Sequence, residues 1–435
     1  MKEDGEKRKA EGCGMKKMPD SADWLPGVTH PGQMHHLLGI LESRIQDFDQ
    51  IPLPCPSMNT PSPREISRRK FIRNASLATA ATWTLGGRSW AADASPPAAA
   101  PAPVKKLGVA LAGLGGYSTG QLRPALQETQ FCQLMGVVTR RPEVGAQWAQ
   151  ASGFPEKNIY NYDTMDQLAG NPDIDIVYVV TPNGLHAEHV IKAAKAGKHV
   201  ICEKPMANTV AECDAMLAAC REAKRTLSIG YRLHFDPYHQ KMVQLAADPN
   251  FGPFTKMAGE NGFTLNGDQW RIHHPLSGGG PLMDMGIYVV HAACMAANAN
   301  PLAVTATEHA KTKPDVFVDV EEALDWTMEF PGGAVATCQT SYVKNFGHFH
   351  AEGAKGWIDF PSAFGYSGIR MNTSNGPVTF PPLRQQAAHM DGIAQAIMAK
   401  KDSPVPGELG RRDMVIIEGI YQAAASGKRV ELKYA

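Results

Sequence analysis

From Lys106 the chain runs Leu-Gly-Val-Ala-Leu-Ala, turns through Gly113-Leu-Gly115-Gly116-Tyr117-Ser118 and enters a helical pattern ending near Glu128. An apolar run of strand length, a glycine turn and a helix, in that order, form the context a dinucleotide-binding loop requires. Gly113 permits the tight turn. Gly115 lets a pyrophosphate approach the backbone N–H groups at the helix start, where the helix dipole favours an anion. Ser118 stands where a third glycine is expected, a small-for-small exchange that still lets helix and strand pack. Taken alone, a degenerate G-x-G-x-x-S says little; the strand before it and the residues after it give it weight.

The next apolar run, 133–139, ends about 20 residues past the glycines, where an NAD-binding chain places Asp or Glu on the ribose diol. Here the residues are Thr139-Arg140-Arg141. Guanidinium groups without a carboxylate suit a 2′-phosphate, which predicts NADP over NAD. The plainer alternative is that both arginines begin a solvated helix. Beyond them the pattern alternates: helices near 141–152, 163–170, 186–196 and 209–224, with strands near 174–181, 199–203 and 227–231. Such alternation predicts a doubly wound parallel sheet, with ligands beyond the carboxyl ends of its strands. The residues falling there are Thr181-Pro182-Asn183, Glu203-Lys204-Pro205, and Tyr231-Arg232.

After Tyr231 the character changes. One helix, about 236–247, leads to strand-like runs near 253–264, 302–311, 322–330, 333–343, 347–353 and 356–360. Gly332-Gly333 between two of them reads as a hairpin turn. A largely antiparallel sheet is expected, with a helix over 282–297 against it and two final helices (about 385–400 and 409–426) returning to the first domain. The expected class is α/β followed by α+β. The domains are 105–230 and 231–435, preceded by an extension and signal over 1–91 and a Pro/Ala-rich arm over 92–104.

Composition narrows the function. The 435 residues hold 43 Lys+Arg against 43 Asp+Glu, a balance that argues against nucleic acid as a partner. Eight cysteines are ordinary usage, and none after the signal has C-x-x-C spacing, so no metal site is expected. No apolar run is read as reaching the roughly 18–20 residues of a membrane span. Ser-Arg-Arg-Lys-Phe-Ile-Arg at 67–73, then a charge-free stretch and small residues near 91–94, have the layout of a twin-arginine export signal. Export to the periplasm is therefore expected.

Several stretches together resemble the glucose–fructose oxidoreductase group within the wider Gfo/Idh/MocA dehydrogenases. They are Thr-Pro-Asn-Gly-Leu-His-Ala-Glu (181–188), Ala-Gly-Lys-His-Val-Ile-Cys-Glu-Lys-Pro-Met-Ala (196–207), Gly-Tyr-Arg-Leu-His-Phe-Asp-Pro (230–237), Gln-Trp-Arg (269–271) and Gly-Gly-Gly-Pro-Leu-Met-Asp-Met-Gly-Ile-Tyr (278–288). The resemblance covers about 104–435 together with the export signal. It implies a Rossmann domain followed by an open-sheet domain, and a homodimer or homotetramer made by pairing of open sheets. It places Gly116, Tyr117, His186 and Glu203 with the cofactor set and Lys204 beside the nicotinamide. Asp284 and Tyr288 match the substrate-site pair, their i, i+4 spacing putting both on one helical face. Tyr231, Arg232, Trp270 and Arg271 complete the expected substrate set.

In most of the wider family the position of Tyr288 is His. A phenol near pKa 10 is a poor base at neutral pH, and a neighbouring Lys204 cation would favour the phenolate. Tyr288 is therefore the expected general acid/base, with Asp284 on sugar hydroxyls. The expected activity is NADP-dependent oxidation of one aldose to a lactone coupled to reduction of a second aldose or ketose. The alternatives are an NAD-retaining glycosidase on the same fold, against which Lys204 counts, a simple sugar or polyol dehydrogenase, and a non-catalytic sugar-binding module.

Overall fold

The structure, a computed structural model, describes residues 105–434. The twin-arginine segment and the Pro/Ala arm lie outside the described residues.

Strand β1 (Leu107–Ala112) is buried along its whole length, as a central strand covered on both faces must be. The chain leaves it through Gly113, passes a single π-turn (Ser118–Leu122) and continues as helix α1 (Arg123–Glu128). Ser118 is buried, and its hydroxyl donates to the Gly113 carbonyl at 2.6 Å. The residue in the third-glycine position thus closes the turn with a hydrogen bond.

Then follow β2 (Cys132–Val138), α2 (Pro142–Ser152), β3 (Ile159–Tyr160), β4 (Ile176–Val179), α3 (His186–Lys195), β5 (His199–Cys202), α4 (Val210–Glu222) and β6 (Leu227–Ile229). All six strands pair in parallel in the order β3-β2-β1-β4-β5-β6. The order reverses at β1, so the crevice between the β1 and β4 ends lies beside the glycine turn, where open α/β sheets bind ligands. One expected helix takes a tighter form: 163–170 holds the 3-10 helix Met165–Gly170 in place of an α-helix. The Asn161 side chain accepts from the Asp163 and Thr164 N–H groups, and such Asx turns start tight turns.

Helix α5 (Pro237–Ala247) starts at Asp236, whose carboxylate accepts from the N–H groups of Tyr238 and His239. The second sheet has nine strands: β7 (Lys256–Gly262), β8 (Ala303–Glu308), β9 (Ala323–Glu329), β10 (Val335–Ser341), β11 (Phe346–Glu352), β12 (Trp357–Ser362), β13 (Arg370–Thr373), β14 (Gly376–Val378) and β15 (Val430–Glu431). Their order is β14-β13-β12-β11-β7-β10-β9-β8-β15, antiparallel throughout except for β7 beside β10. Gly332 and Gly333, with φ of 76° and 81°, make the β9–β10 turn as expected. Strands β13, β14 and β15 were not expected; at two to four residues they are too short to display an alternation.

Along this sheet the side chains alternate with period two. Leu324, Trp326, Met328, Ala336, Cys338, Phe349 and Ala351 face the core, while Thr305, Thr307, Asp325 and Thr337 are exposed on the other side. Helix α6 (Ile287–Ala297) lies against β7. A Cβ on Gly259 of β7 would come within 2.6 Å of Val289, so the glycine sets the close approach of helix to sheet. The run His274–Ala297 is, contrary to the sequence reading, long and apolar enough by length and composition to cross a membrane. The fold uses it as core instead: 72% of its most apolar window is buried. Helices α7 (Gln385–Met398) and α8 (Gly407–Ser426) return to the first sheet as expected, α7 onto α1 and β2, α8 between α4, β6 and β8.

Candidate active site

The glycine turn has the shape a dinucleotide needs. Gly113 sits at φ 105°, and a Cβ there would meet the Val180 carbonyl oxygen at 2.8 Å, so only glycine fits. At Gly115 and Gly116 a Cβ would enter open space. Both are exposed at the helix start, which leaves a cradle that a pyrophosphate fits and a side chain would occupy. Beyond β2, Thr139 is buried and its hydroxyl accepts from the Arg141 N–H at 3.2 Å. Arg140 is exposed, its guanidinium carbon 5.8 Å from the centre of the Tyr162 ring. No carboxylate occupies the end of this strand. The donor set therefore fits a 2′-phosphate.

At the exits of β4 and β5 the protein uses most of the expected residues on itself. Thr181 is buried with its hydroxyl 3.1 Å from His189 Nδ1. Beyond Pro182, Asn183 is buried and donates to the Ser277 carbonyl at 2.8 Å. His186, expected with the cofactor set, has no free face: it is fully buried, with Nδ1 2.9 Å from the Pro205 carbonyl and Nε2 2.8 Å from the Thr181 carbonyl. It ties the β4 exit to the β5 exit. Burial moves its pKa down. The Glu203 carboxylate is likewise engaged, accepting from Tyr178 Oη at 2.7 Å and from the Lys204 N–H at 3.2 Å. Burial pushes its carboxyl up.

Lys204 projects from the β5 exit onto Asp284. Its Nζ donates to the Asp284 carbonyl at 2.7 Å and to Oδ1 at 3.2 Å, and lies 4.7 Å from the Tyr288 ring centre. Arg271 Nε donates to Oδ2 of the same carboxylate at 2.8 Å, and Tyr342 Oη reaches it at 3.3 Å. Burial alone would raise the Asp284 pKa, but Arg271 and Lys204 outweigh it and hold the carboxyl well below the usual carboxylate range. Burial likewise opposes the charge on Lys204, yet Tyr288, Asp284 and Glu203 together hold its pKa above the ordinary value. The centre is thus a locked ion triad, two cations on one carboxylate.

The Asp284 position depends on the Gly-Gly-Gly turn. A Cβ on Gly278 would run into Asn208, one on Gly279 into the Tyr421 hydroxyl, and one on Gly280 into Glu321. Glu321 is buried and accepts from the Gly280 and Leu282 N–H groups at 2.8 and 3.0 Å and from Tyr421 at 3.0 Å. These contacts cap a π-turn, Leu282–Gly286, that carries Asp284 ahead of α6 and Tyr288.

The remaining expected residues divide. Arg232 is buried, its guanidinium carbon 5.1 Å from the Tyr288 ring centre. Trp270 flanks Arg271, 4.7 Å from guanidinium carbon to ring centre. Tyr231 does not join them. It is 4% exposed and stacks on His291 at 4.0 Å, beside the Asp413 carboxylate that binds His291 and Arg412. Tyr231 immediately precedes the 3-10 turn Arg232–Phe235 and Arg232 opens it, so the two side chains point apart, Arg232 to the cleft and Tyr231 to α6. Tyr117 faces the cleft, its pKa raised by burial and then by Glu203 and Tyr288. Sequence reasoning missed Tyr342, Tyr366 and Glu321, which follow or precede strands of the second sheet and carry no local motif. Among the described residues no group of His, Cys, Asp or Glu has the geometry of a metal site.

Comparison with known proteins agrees with this architecture. An oxidoreductase family with an NAD-binding Rossmann fold matches residues 107–231, and the GFO/IDH/MocA C-terminal domain matches 239–359. The chain belongs to the GFO/IDH/MocA oxidoreductase family. It is similar to an aldose-aldose oxidoreductase from Caulobacter crescentus, solved with glycerol, with 39% identity, a TM-score of 0.73, 75% of this chain covered and 100% of that one. A D-xylose 1-dehydrogenase (NADP+) from Haloarcula marismortui is 28% identical over 335 residues, 74% of this chain and 92% of that protein. A 1,5-anhydro-D-fructose reductase from Ensifer adhaerens is 25% identical over 312 residues, 69% of this chain and 91% of that protein.

Proposed function

We propose that this oxidoreductase is exported, uses NADP that it keeps bound, and couples oxidation of an aldose to its lactone with reduction of a second aldose or ketose. One observation carries the reading. The Lys204 ammonium is held between the Asp284 carboxylate and the Tyr288 ring at the carboxyl end of the nucleotide sheet.

NADP, when bound, accepts or supplies the hydride. The chain supplies the rest. Two Lys204 contacts go to Asp284; an ammonium has three N–H donors, so one is left for the reacting sugar oxygen, where it stabilises growing negative charge. Tyr288 takes the hydroxyl proton as the aldose is oxidised and returns it as the second carbonyl is reduced. Asp284 is not the base. Two cations keep it ionised, so it holds Lys204 and Arg271 in place and offers a remaining lone pair to a sugar hydroxyl.

The activities of the aldose-aldose oxidoreductase and of the NADP+-dependent D-xylose dehydrogenase support the coupled chemistry and the cofactor. The twin-arginine pattern at 67–73 supports export of a folded, loaded enzyme. NADP is not freely supplied outside the cytoplasm, so a bound cofactor regenerated by a second sugar is the self-sufficient arrangement. The exposed polar side of the second sheet is where a homodimer or homotetramer would pair.

The test is to purify the exported protein without added cofactor, denature a portion and assay the supernatant for NADP. Sugar pairs are offered to a separate, native portion while bound-nicotinamide absorbance is followed. NADP released from the denatured portion, with bound nicotinamide cycling between an aldose and a second carbonyl sugar in the native one, supports the proposal. Cofactor-free protein that turns over only with added NADP makes it a simple dehydrogenase. Replacing Arg68 and Arg69 by lysine should abolish export, measured by cell fractionation.

A further inference from the structure

We propose that Tyr366, held by its contacts with the buried Arg232, is the platform on which the ring of the sugar substrate stacks. This rests on the sugar oxidoreductase reading and adds the part of the substrate that the site recognises.

Tyr366 stands at the tip of the loop joining β12 and β13. Ala363, Phe364 and Ile369 anchor the loop in the core, yet Tyr366 itself is 46% exposed. A loose surface tyrosine would need no support. This loop has a great deal: Arg232, 3% exposed, donates to the Gly365 carbonyl at 3.0 Å, to the Phe364 carbonyl at 2.6 Å and to Gln385 Oε1. Gln385 in turn donates to Asp236 at 3.1 Å. The same guanidinium lies between two rings, 4.5 Å from the centre of Tyr366 and 5.1 Å from that of Tyr288. Burying a cation is costly unless it is well partnered, and here the partners are the loop, its tip and the proposed acid/base. The position of Tyr366 is thereby coupled to that of Tyr288.

The ring also meets the nucleotide side of the cleft, 5.9 Å from the Tyr117 ring and tilted by 36°. Its hydroxyl shares its surroundings with Tyr288, Arg232 and Lys204; burial, then Tyr288, pushes it up to about 12, so it stays a neutral phenol. A half-exposed aromatic ring, near enough to Lys204 and Arg271 to act on their charges, suits a ligand with one apolar face and a polar rim. A cyclic aldose has both: a C–H face for Tyr366, and hydroxyls for Lys204, Arg271 and Asp284. An open-chain aldehyde has the carbonyl without the face.

The test compares D-xylose with glyceraldehyde in the wild type and in Tyr366→Ala, Tyr366→Phe and Tyr366→Trp. In Tyr366→Ala the ratio of kcat/KM for D-xylose to that for glyceraldehyde should fall about tenfold or more, mainly through KM, the loss of one aromatic contact. Tyr366→Phe should keep the wild-type ratio. The indole emission of Tyr366→Trp, as a difference from wild type, should change on titration with D-xylose. An unchanged ratio in Tyr366→Ala, or indole emission indifferent to the sugar, overturns the proposal. Should Tyr366→Ala fail to fold, the Phe and Trp variants decide it. A wild type inactive on every aldose overturns the function reading itself, which separates the two failures.

Discussion

At the scale of single residues the site is an electrostatic construction. Asp284 holds two cations at 2.8 and 3.2 Å, and the three groups are worth different amounts. Asp284→Asn leaves Lys204 and Arg271 without their carboxylate, and stripping a buried pair of one member costs about 3–5 kcal/mol. With Arg271 a third exposed, the expected loss is near the lower end, about 3 kcal/mol, read from urea unfolding. Lys204→Met leaves Asp284 still bound by Arg271 and Tyr342, so stability should fall far less. Its turnover should nevertheless drop about a thousandfold, the scale for removing a donor aimed at developing charge, while NADP binding persists. A loss of stability as large as that of Asp284→Asn would argue against the triad as drawn. The Glu-Lys-Pro and Gly-Gly-Gly…Asp…Tyr patterns made Lys204, Asp284 and Tyr288 legible in the sequence. The partnership of Tyr342 with Asp284 was not legible, since 58 residues separate them.

At the scale of elements, two glycines of similar appearance do opposite work. Gly115 has empty space where a side chain would go, whereas a Cβ on Gly279 would collide with Tyr421 at a φ of 155°. Gly115→Ala should leave stability within about 0.5 kcal/mol and weaken NADP binding at least tenfold by filling the cradle. Gly279→Ala should destabilise by about 2 kcal/mol through backbone strain and collision. Differential scanning and cofactor titration on both variants separate these effects. On the neighbouring loop, substituting Arg140 by Ala and Arg141 by Asp should shift preference from NADP toward NAD; unchanged preference would remove the arginines from the cofactor site. The order of the long elements was visible from periodicity. Strands β13 to β15 and the 3-10 form of 165–170 were not, because short segments take their conformation from neighbours and from side chains such as Asn161.

For the whole molecule the buried histidines set the acid limit. Burial pushes His189, His234 and His389 from 6.5 down to about 4. The native state keeps them neutral where the unfolded chain takes up protons, so stability is full above about 6.5 and falls with pH until about 4. Each contributes a slope of about 1.4 kcal/mol per pH unit in that window. Asp284 and Asp413, whose carboxyls are held low, act in the same direction but only below the ordinary Asp value of 3.8. Urea unfolding from pH 7 to 4.5 should therefore show a loss that His389→Gln reduces by one proton's worth; an identical slope would exclude His389 as a contributor.

What the sequence determined by itself is whatever chain-local physics enforces. Strand–glycine turn–helix, the alternation into a parallel sheet, and motif residues at strand ends all depend on neighbours within a few positions. What only the tertiary structure decided is which side chains share a space. It turned Tyr231 to His291 and Arg232 to Tyr288, spent His186 on two backbone carbonyls, and brought Arg271 and Tyr342 to Asp284 and Tyr366 to the surroundings of Lys204 from distant segments. Those choices come from packing two sheets and their helices together, and no local pattern encodes the distance between residues that meet only there.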